Sequence, residues 1–310
     1  MARKGYKDVV VYIDDFLIVA PTYDTCNAAL HCLIRLLRKL GFLISWKKVV
    51  GPTQKITFLG VDIDMRASTL SLGKDKLNKL EERLRQFQHR KRATKLQLQS
   101  ITGLLNWACQ AVRGGKIFLR RILDLIAPLQ QQSHKVRLTS GFKGDLSWWL
   151  TYLRVFNGTV FFNEQTNVRV HVDACNQAAG AFCQGDWLYT VFHCDLPAAE
   201  KLHINYKEVC AVFQAVKQWA PLWRGRTVIV QTDSTVTKGI INKGRSRNAF
   251  VNRLLRQMFW ICAKHDCVVR AISVSGSINI VADTVSRLHE RDNIAKLFVL
   301  LSNWWHGKGG

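Results

Sequence analysis

The stretch VRVHVDA, residues 168–174, decides the fold of the carboxyl-terminal part of the chain. Valine alternates with polar residues as far as Asp173, a pattern typical of a strand with one buried face. Two β-rich runs follow, Ala181 to Gln184 and Trp187 to His193, around a Gly185-Asp186 turn that indicates a hairpin. The sequence therefore predicts a sheet whose first strand ends at Asp173.

Helices and strands alternate further along the chain. Strands are predicted at Thr227–Thr232 and Val268–Val274, and helices at Asn205 to about Ala220, Val236–Asn242, Asn248–Lys264 and Ile280–Leu288. The order βββαβααβα predicts a mixed sheet flanked by helices. The predicted fold class of the whole chain is α+β and α/β.

Four acidic residues occupy comparable places in this order: Asp173, Glu208, Asp233 and Asp283. Two of them end predicted strands, and two lie in the first turns of predicted helices. Hydrolysis of a phosphodiester can use two divalent ions about 3.5–4 Å apart, and Mg²⁺ prefers carboxylate oxygens. Clustered carboxylates repel one another unless cations neutralise them. The pattern predicts a nuclease site with two Mg²⁺ ions, or Mn²⁺ in their place.

Each acid also has a purely structural interpretation. Glu208 lies three residues after Asn205, which is a capping-box arrangement. Asp233 and Asp283 could be helix-start residues favoured by the helix dipole, and Asp173 could end an exposed strand. Taken singly these interpretations are the better ones, but together they require four coincidences in one topology.

The amino-terminal part contains a second acidic motif, Tyr12-Ile13-Asp14-Asp15, between two apolar runs. This pattern predicts a hairpin with Asp14 and Asp15 at its tip. The elements expected after it are a helix from about Asp24 to Leu40, strands at Leu43–Trp46 and Lys55–Ile63, and helices from Lys74 to about Arg154.

Composition restricts the class of partner. The 310 residues include 45 Lys and Arg against 22 Asp and Glu, a net charge of +23. Such a charge favours nucleic acid as partner, although a generally cationic protein is the alternative. No apolar run approaches the ~18 residues that span a bilayer, so we expect a soluble intracellular protein with no membrane partner. The sequence indicates no oligomeric state.

Cysteine usage agrees with a reducing compartment. The nine cysteines form no C-x-x-C pair, which favours free thiols over a disulfide framework. Cys262, His265 and Cys267 lie close together in sequence, but zinc requires four ligands. A helix end followed by a strand explains these three residues better.

Residues 168–290 resemble the ribonuclease H domain of retroelements. The resemblance is carried by Val172-Asp173-Ala174, Ile204-Asn205-Tyr206-Lys207-Glu208, Gln231-Thr232-Asp233-Ser234, Asn279-Ile280-Val281-Ala282-Asp283 and Ser286-Arg287-Leu288. It implies that Asp173 bridges both ions, with Asp283 on the first ion and Glu208 and Asp233 on the second. It also implies that the RNA strand of an RNA–DNA hybrid is cut.

One departure from that family concerns the segment before Asn279. The family has His-x-Pro-Gly where this chain has Ser273-Val274-Ser275-Gly276. The family's histidine helps proton handling or product release, so Ser273 implies a slower enzyme or a decayed copy. His265 is too far upstream to replace it.

Three basic residues after the third acid are the predicted phosphate contacts: Lys243, Arg245 and Arg247. A solvated loop explains them equally well.

Residues 1–154 resemble part of a reverse transcriptase. Tyr12-Ile13-Asp14-Asp15 is similar to the palm motif, and Phe58-Leu59-Gly60 to the primer-grip hairpin. The helical stretch from Lys74 resembles the thumb and connection, and the whole chain is most similar to DIRS-type (tyrosine-recombinase) retrotransposon polyproteins. The domains implied are a partial palm at 1–72, thumb and connection at 73–165, a ribonuclease H-like domain at 166–290 and a tail at 291–310.

The polymerase motif is expected to be incomplete. The resemblance implies that Asp14 and Asp15 need a third aspartate from a neighbouring palm strand, and the chain begins about a dozen residues before them. We therefore expect Mg²⁺-dependent cleavage of RNA–DNA hybrids without autonomous DNA synthesis. The alternatives are a decayed nucleic-acid-binding relic and a polymerase completed by another segment. A DDE-type transposase ranks last, because it wants three acids and lacks the thumb-like helices.

Overall fold

The computed structural model describes residues 5–6, 8–160, 167–290 and 292–306, with side chains described as far as 302. The chain forms two compact units. The amino-terminal unit comprises Met1–His89, Gln110–Arg113 and Leu150–Phe162; the carboxyl-terminal unit comprises Arg90–Cys109, Gly114–Trp149 and Asn163–Gly310. In the part of the chain that is described, no helix is long and apolar enough to cross a membrane.

The regular elements up to residue 160 are eight strands and five helices among the described residues. They are β1 (Val9–Tyr12), β2 (Asp15–Ile18), α1 (Tyr23–Lys39), β3 (Lys55–Phe58), β4 (Val61–Asp64), β5 (Thr69–Leu72), α2 (Lys74–Gln88), β6 (Arg92–Thr94), α3 (Lys95–Ala108), α4 (Arg120–Ile126), β7 (Lys135–Arg137), α5 (Ser140–Tyr152) and β8 (Thr159–Val160).

The described elements from residue 167 onward follow the predicted order closely. They are β9 (Val168–Ala174), β10 (Ala178–Cys183), β11 (Asp186–Val191), α6 (Phe192–Asp195), α7 (Ile204–Trp219), β12 (Thr227–Thr232), α8 (Thr235–Lys243), α9 (Ala249–Lys264), β13 (Val268–Ser273), α10 (Ile280–Ser286) and α11 (Asn293–His306). The short helix α6 was not predicted, and α11 occupies part of the segment where the sequence predicts a tail.

The amino-terminal hairpin forms as the sequence predicts. Strands β1 and β2 pair antiparallel, with Tyr12 opposite Asp15. Ile13 has a φ of 51°, so Ile13 and Asp14 make the turn. Asp14 therefore lies at the tip, whereas Asp15 is the first residue of β2.

The strands predicted after α1 are partly wrong. Residues 43–45 have no regular structure, and Trp46–Lys48 is a 3₁₀ turn. The predicted strand Lys55–Ile63 is two strands, β3 and β4, joined by a tight turn at Leu59 (φ 50°) and Gly60 (φ 80°). Two successive residues with positive φ suit a hairpin turn, and glycine adopts positive φ without a steric penalty. These strands belong to an antiparallel sheet in the order β3-β4-β5-β8.

The carboxyl-terminal unit is built on a five-stranded mixed sheet in the order β11-β10-β9-β12-β13. Strand β12 is parallel to both β9 and β13, while β10 is antiparallel to β9 and β11. The predicted mixed sheet flanked by helices is confirmed. Because parallel strands end at the same edge, the ends of β9 and β12 lie side by side, close to where Asp173 and Asp233 occur.

The sheet's main core lies between its valine-bearing face and helices α7 and α9. Val170, Val172 and Val230 are buried there, packed with Val209 and Val212 of α7. Helix α7 is apolar on nearly all sides over its middle turns, which is typical of a helix buried in a core. Helix α10 packs against β9 and β10.

A buried ion pair joins α5 to α9. The side chain of Asp145 is 2% exposed and accepts hydrogen bonds from Arg256 (2.9 Å) and Arg121 (3.3 Å). Burial raises the pKa of Asp145 to about 6, although both guanidinium groups oppose that rise. The pair sits beside aromatic packing in which Phe118 stacks on Trp148 and meets Phe259 edge-on.

Replacing Asp145 with alanine is expected to lower the free energy of unfolding by about 3–5 kcal/mol, because Arg256 is left buried without its counter-charge. Asp124→Ala is the matched control: Asp124 pairs with Arg120, but its side chain is 49% exposed, so a loss of about 0–1 kcal/mol is expected. Urea denaturation of both variants measures the difference. Equal losses would contradict this account of the buried pair.

Candidate nuclease site

Asp173 lies at the carboxyl end of β9, with its side chain turned away from the valine core because side chains alternate along a strand. It is 7% exposed, and its Oδ2 accepts a hydrogen bond from the hydroxyl of Ser286 in α10 at 2.6 Å. Burial raises the pKa of Asp173, the charges of Asp283 and Asp233 raise it further, and the Ser286 hydrogen bond opposes the rise. The surroundings of Asp173 therefore destabilise its charged form.

Glu208 is the fifth residue of α7, just past the first turn where the sequence predicts it, because the helix begins at Ile204 and not at Asn205. Its Oε2 accepts hydrogen bonds from two buried threonines, Thr232 at 3.2 Å and Thr237 at 3.1 Å. Burial raises the pKa of Glu208, hydroxyl hydrogen bonds lower it, and the charge of Asp233 raises it. The capping-box interpretation is wrong, because the N-cap is His203, whose side chain accepts from the amide of Asn205.

Asp233 directly follows β12 and is exposed. Since Thr232 and Thr237 on either side of it both bond to Glu208, Asp233 is held next to that residue. Asp283 lies in the first turn of α10 and forms an ion pair with Arg287 at 3.0 Å. The structure thus brings all four predicted acids to one edge of the sheet.

The four carboxylates are electrostatic neighbours without sharing a single coordination point. Asp173 feels the charges of Asp233 and Asp283, and Glu208 feels the charge of Asp233. Among the described residues, no three His, Cys, Asp or Glu side chains are grouped closely enough to hold a metal ion. The chemistry of the donors, hard oxygens that repel one another, fits a divalent cation. Their hydrogen bonds to neighbouring side chains hold them in separate positions.

The sequence pattern did not reveal the residues that hold these acids. Ser286 bonds to Asp173, and Thr237 bonds to Glu208, across 113 and 29 positions of sequence respectively. Asn279 links β9 to the start of α10. Its side-chain amide donates to the backbone carbonyl of Val172, and its backbone carbonyl accepts from the amide of Asp283. The one hint of their role in the sequence is that they are short polar residues near the starts and ends of predicted helices.

The position that differs from the family pattern lies at this same edge. Ser273 is the last residue of β13 and pairs with Thr232 of β12. His265 lies before the first residue of β13, at the opposite end of that strand. The length of the strand therefore separates His265 from the acids, as the sequence spacing predicts.

The remaining predicted site residues lie elsewhere in the fold. Lys243, Arg245 and Arg247 are all exposed, at the end of α8 and in the loop that follows. Asp14 and Asp15 belong to the β1–β2 hairpin of the amino-terminal unit. Their roles remain predictions.

Comparison with known proteins finds a family that part of the carboxyl-terminal unit resembles. Residues 163–261 match the family model described as an RNase H-like domain found in reverse transcriptase. This part of the chain is therefore similar to the RNase H-like domains of reverse transcriptases.

Viral polyproteins are similar to most of the chain. A polyprotein of cassava vein mosaic virus is 24% identical over 313 residues, a match that covers 94% of this chain and 44% of the relative. The enzymatic polyprotein of carnation etched ring virus is 23% identical over 284 residues, covering 88% and 40%. A foamy viral protease-reverse transcriptase solved with double-stranded DNA covers 88% of this chain and 47% of its own, with 17% identity and a TM-score of 0.45. The chain is homologous to viral enzymatic polyproteins and spans less than half the length of these curated relatives.

Proposed function

We propose that the carboxyl-terminal unit is a ribonuclease H that cuts the RNA strand of RNA–DNA hybrids in a Mg²⁺-dependent reaction. The observation that carries the proposal is the convergence of Asp173, Glu208, Asp233 and Asp283 from four separate elements on one sheet edge, with mutual charge effects on Asp173 and Glu208. The net charge of +23 supports a polyanionic substrate.

In this proposal the four acids would hold two divalent ions. Bound ions of this kind supply an activated water and stabilise the leaving oxygen. The chain's own contribution is orientation: Ser286 fixes one oxygen of Asp173, and Thr232 and Thr237 fix one oxygen of Glu208. Asp233 is exposed and Asp283 is partly exposed, so both are accessible from solvent, where a nucleic acid can enter.

The test is cleavage of an end-labelled RNA–DNA hybrid by the purified full chain. Hybrid cutting with Mg²⁺, none with EDTA, and little cutting of DNA duplex or RNA duplex are the expected results. Asp233→Asn serves as the inactive control. Equal traces from the wild type and Asp233→Asn would instead support the rival function, a nucleic-acid-binding relic, which Ser273 in place of the family's histidine favours.

Two narrower assignments are part of the same proposal. The overall sequence pattern supports a relationship to DIRS-type retrotransposons. Asp14 and Asp15 support descent from a reverse transcriptase palm. Lys243, Arg245 and Arg247 are proposed to contact phosphates of the substrate, since all three are exposed.

Thr237→Val is expected to reduce hybrid cleavage about 10–100-fold, the range seen when a group that orients a metal ligand is removed. The substitution keeps the shape of the side chain and deletes the hydroxyl that bonds to Glu208. Thr237→Ser retains that hydroxyl and is expected to stay close to wild type. Initial rates at saturating Mg²⁺ distinguish the two variants, and equal losses would show that packing, not the hydrogen bond, matters.

A further inference from the structure

One basic side chain stands among the acids of the site. Arg287 is four residues after Asp283, so the two occupy neighbouring positions on one side of the helix end. The Nε of Arg287 lies 3.0 Å from Oδ1 of Asp283. Its charge also reaches Asp173, whose pKa it lowers, and both aspartates raise the pKa of Arg287 itself. The guanidinium therefore compensates Asp283 by direct contact.

The other site acids are held differently. Ser286 donates to Asp173, and Thr232 and Thr237 donate to Glu208, so neutral hydroxyls hold these two carboxylates. Across the described ranges, Arg287–Asp283 is the one ion pair that includes a site acid. Hydroxyls orient a carboxylate without neutralising it, so Arg287 carries the local charge compensation.

The Arg287–Asp283 ion pair is weak enough for a cation to displace it. The side chains of Arg287 and Asp283 are 44% and 41% exposed, and exposed pairs of this kind contribute only about 0–1 kcal/mol. The long side chain of Arg287 can carry its guanidinium away from Asp283 into solvent, because it is already 44% exposed. A doubly charged cation bound by the same carboxylate would repel it.

We propose that Arg287 is an internal counter-ion of the nuclease site: it neutralises Asp283 in the metal-free protein, and a divalent cation must displace it. The inference rests on the proposed function, since it assigns Asp283 as a ligand. Arg287 thereby weakens cation binding and keeps the four acids from repelling one another while no cation is bound. It is a positioning residue that sets the affinity of the site for metal.

The test is calorimetric titration of MgCl₂ into the metal-free full chain, without nucleic acid and at fixed ionic strength. Arg287→Gln is expected to bind Mg²⁺ about three- to fivefold more tightly than wild type, the range set by losing an exposed ion pair of up to ~1 kcal/mol. Arg287→Lys keeps the charge and is expected to remain within about twofold of wild type. Arg270→Gln is the control for net charge, because Arg270 is exposed in the middle of β13, opposite Ile229 and three residues before Ser273 at the edge that carries the acids.

Thermal unfolding gives a second readout that does not depend on activity. Metal-free Arg287→Gln is expected to melt lower than wild type, and Mg²⁺ is expected to raise its Tm by more. Unchanged or weaker Mg²⁺ binding by Arg287→Gln overturns the counter-ion role, even if the wild type cuts hybrids. A wild type that binds no Mg²⁺ and cuts no hybrid overturns both this inference and the proposed function.

Discussion

Asp173→Asn is expected to lower hybrid cleavage by more than about 100-fold. Removing a group that merely orients a metal ligand costs about 10–100-fold, and Asp173 is proposed as a direct ligand of both ions. The asparagine is nearly the same shape, and its side-chain oxygen can still accept from Ser286, which donates at 2.6 Å in the wild type. The loss is therefore expected in the rate of cleavage and not in folding.

The stability of the same variant is expected to be retained or increased, although its cleavage rate falls. The folded protein raises the pKa of Asp173 above its ordinary value of 3.8, so the folded state holds this proton more tightly than the unfolded state does. The contribution of Asp173 to the stability of the metal-free wild type is then fully present below pH 3.8 and is lost as the pH rises through the folded pKa. Asp173→Asn lacks this titration and is expected to be at least as stable as wild type at pH 7.

Denaturation at pH 5 and pH 7 without metal, together with cleavage rates, checks both halves of this prediction. Glu200→Gln is the charge-matched control, since Glu200 is an exposed residue of the same unit outside the four acids. It is expected to change neither quantity appreciably. If Asp173→Asn is less stable than wild type, Asp173 supports the fold. The loss of cleavage in this variant would then not show that Asp173 takes part in catalysis.

Gly180→Val is expected to disrupt the packing of α10 on the sheet and to abolish cleavage with it. Gly180 pairs with Asp173 across β9 and β10. A Cβ at this position would collide with backbone atoms of Ala282 and Ser286, and would lie only 2.9 Å from the Ser286 Cα. Backbone atoms cannot turn aside as a flexible side chain can, so the helix that carries Asp283 has to move. We expect a loss of about 3 kcal/mol or more in the free energy of unfolding.

Gly239→Ala provides the matched control for a glycine substitution. Gly239 lies inside α8, and a Cβ there would meet no atom within 4 Å. Alanine in a helix interior is expected to stabilise by about 0.5–1 kcal/mol. Chemical denaturation measures both variants, and a near-neutral Gly180→Val would show that α10 does not approach the sheet as closely as described.

Regular periodicity in the sequence predicted the sheet of the carboxyl-terminal unit well. Thr227–Thr232 is β12 with the same bounds, because an unbroken β-rich run between polar residues specifies a buried strand. The apolar run Leu43–Trp46 forms no strand, and Leu43 is fully exposed. An apolar run predicts a strand only where it also has partners to pair with, and local sequence does not supply that information.

The acids were predictable, whereas the groups that hold them were not. Each acid lies at the end of a strand or near the start of a helix, and that position is visible in the sequence. The contacts of Ser286 with Asp173 and of Thr237 with Glu208 depend on how distant segments pack. The alternative interpretation of Glu208 as part of a capping box is wrong, because the N-cap of α7 is His203 and Glu208 instead accepts from Thr232 and Thr237. The domain boundaries at 72, 165 and 290 remain predictions.

The buried pairing of Asp145 with Arg256 bears on how small a self-sufficient nuclease module can be. A polypeptide of residues 166–290 alone would retain Arg256 and Phe259 but discard Asp145, Phe118 and Trp148. An unneutralised guanidinium and an uncovered aromatic surface would then face water. The portable module consequently extends upstream to include Phe118 and α5, so any transplant of the proposed activity into another protein should carry that segment with it.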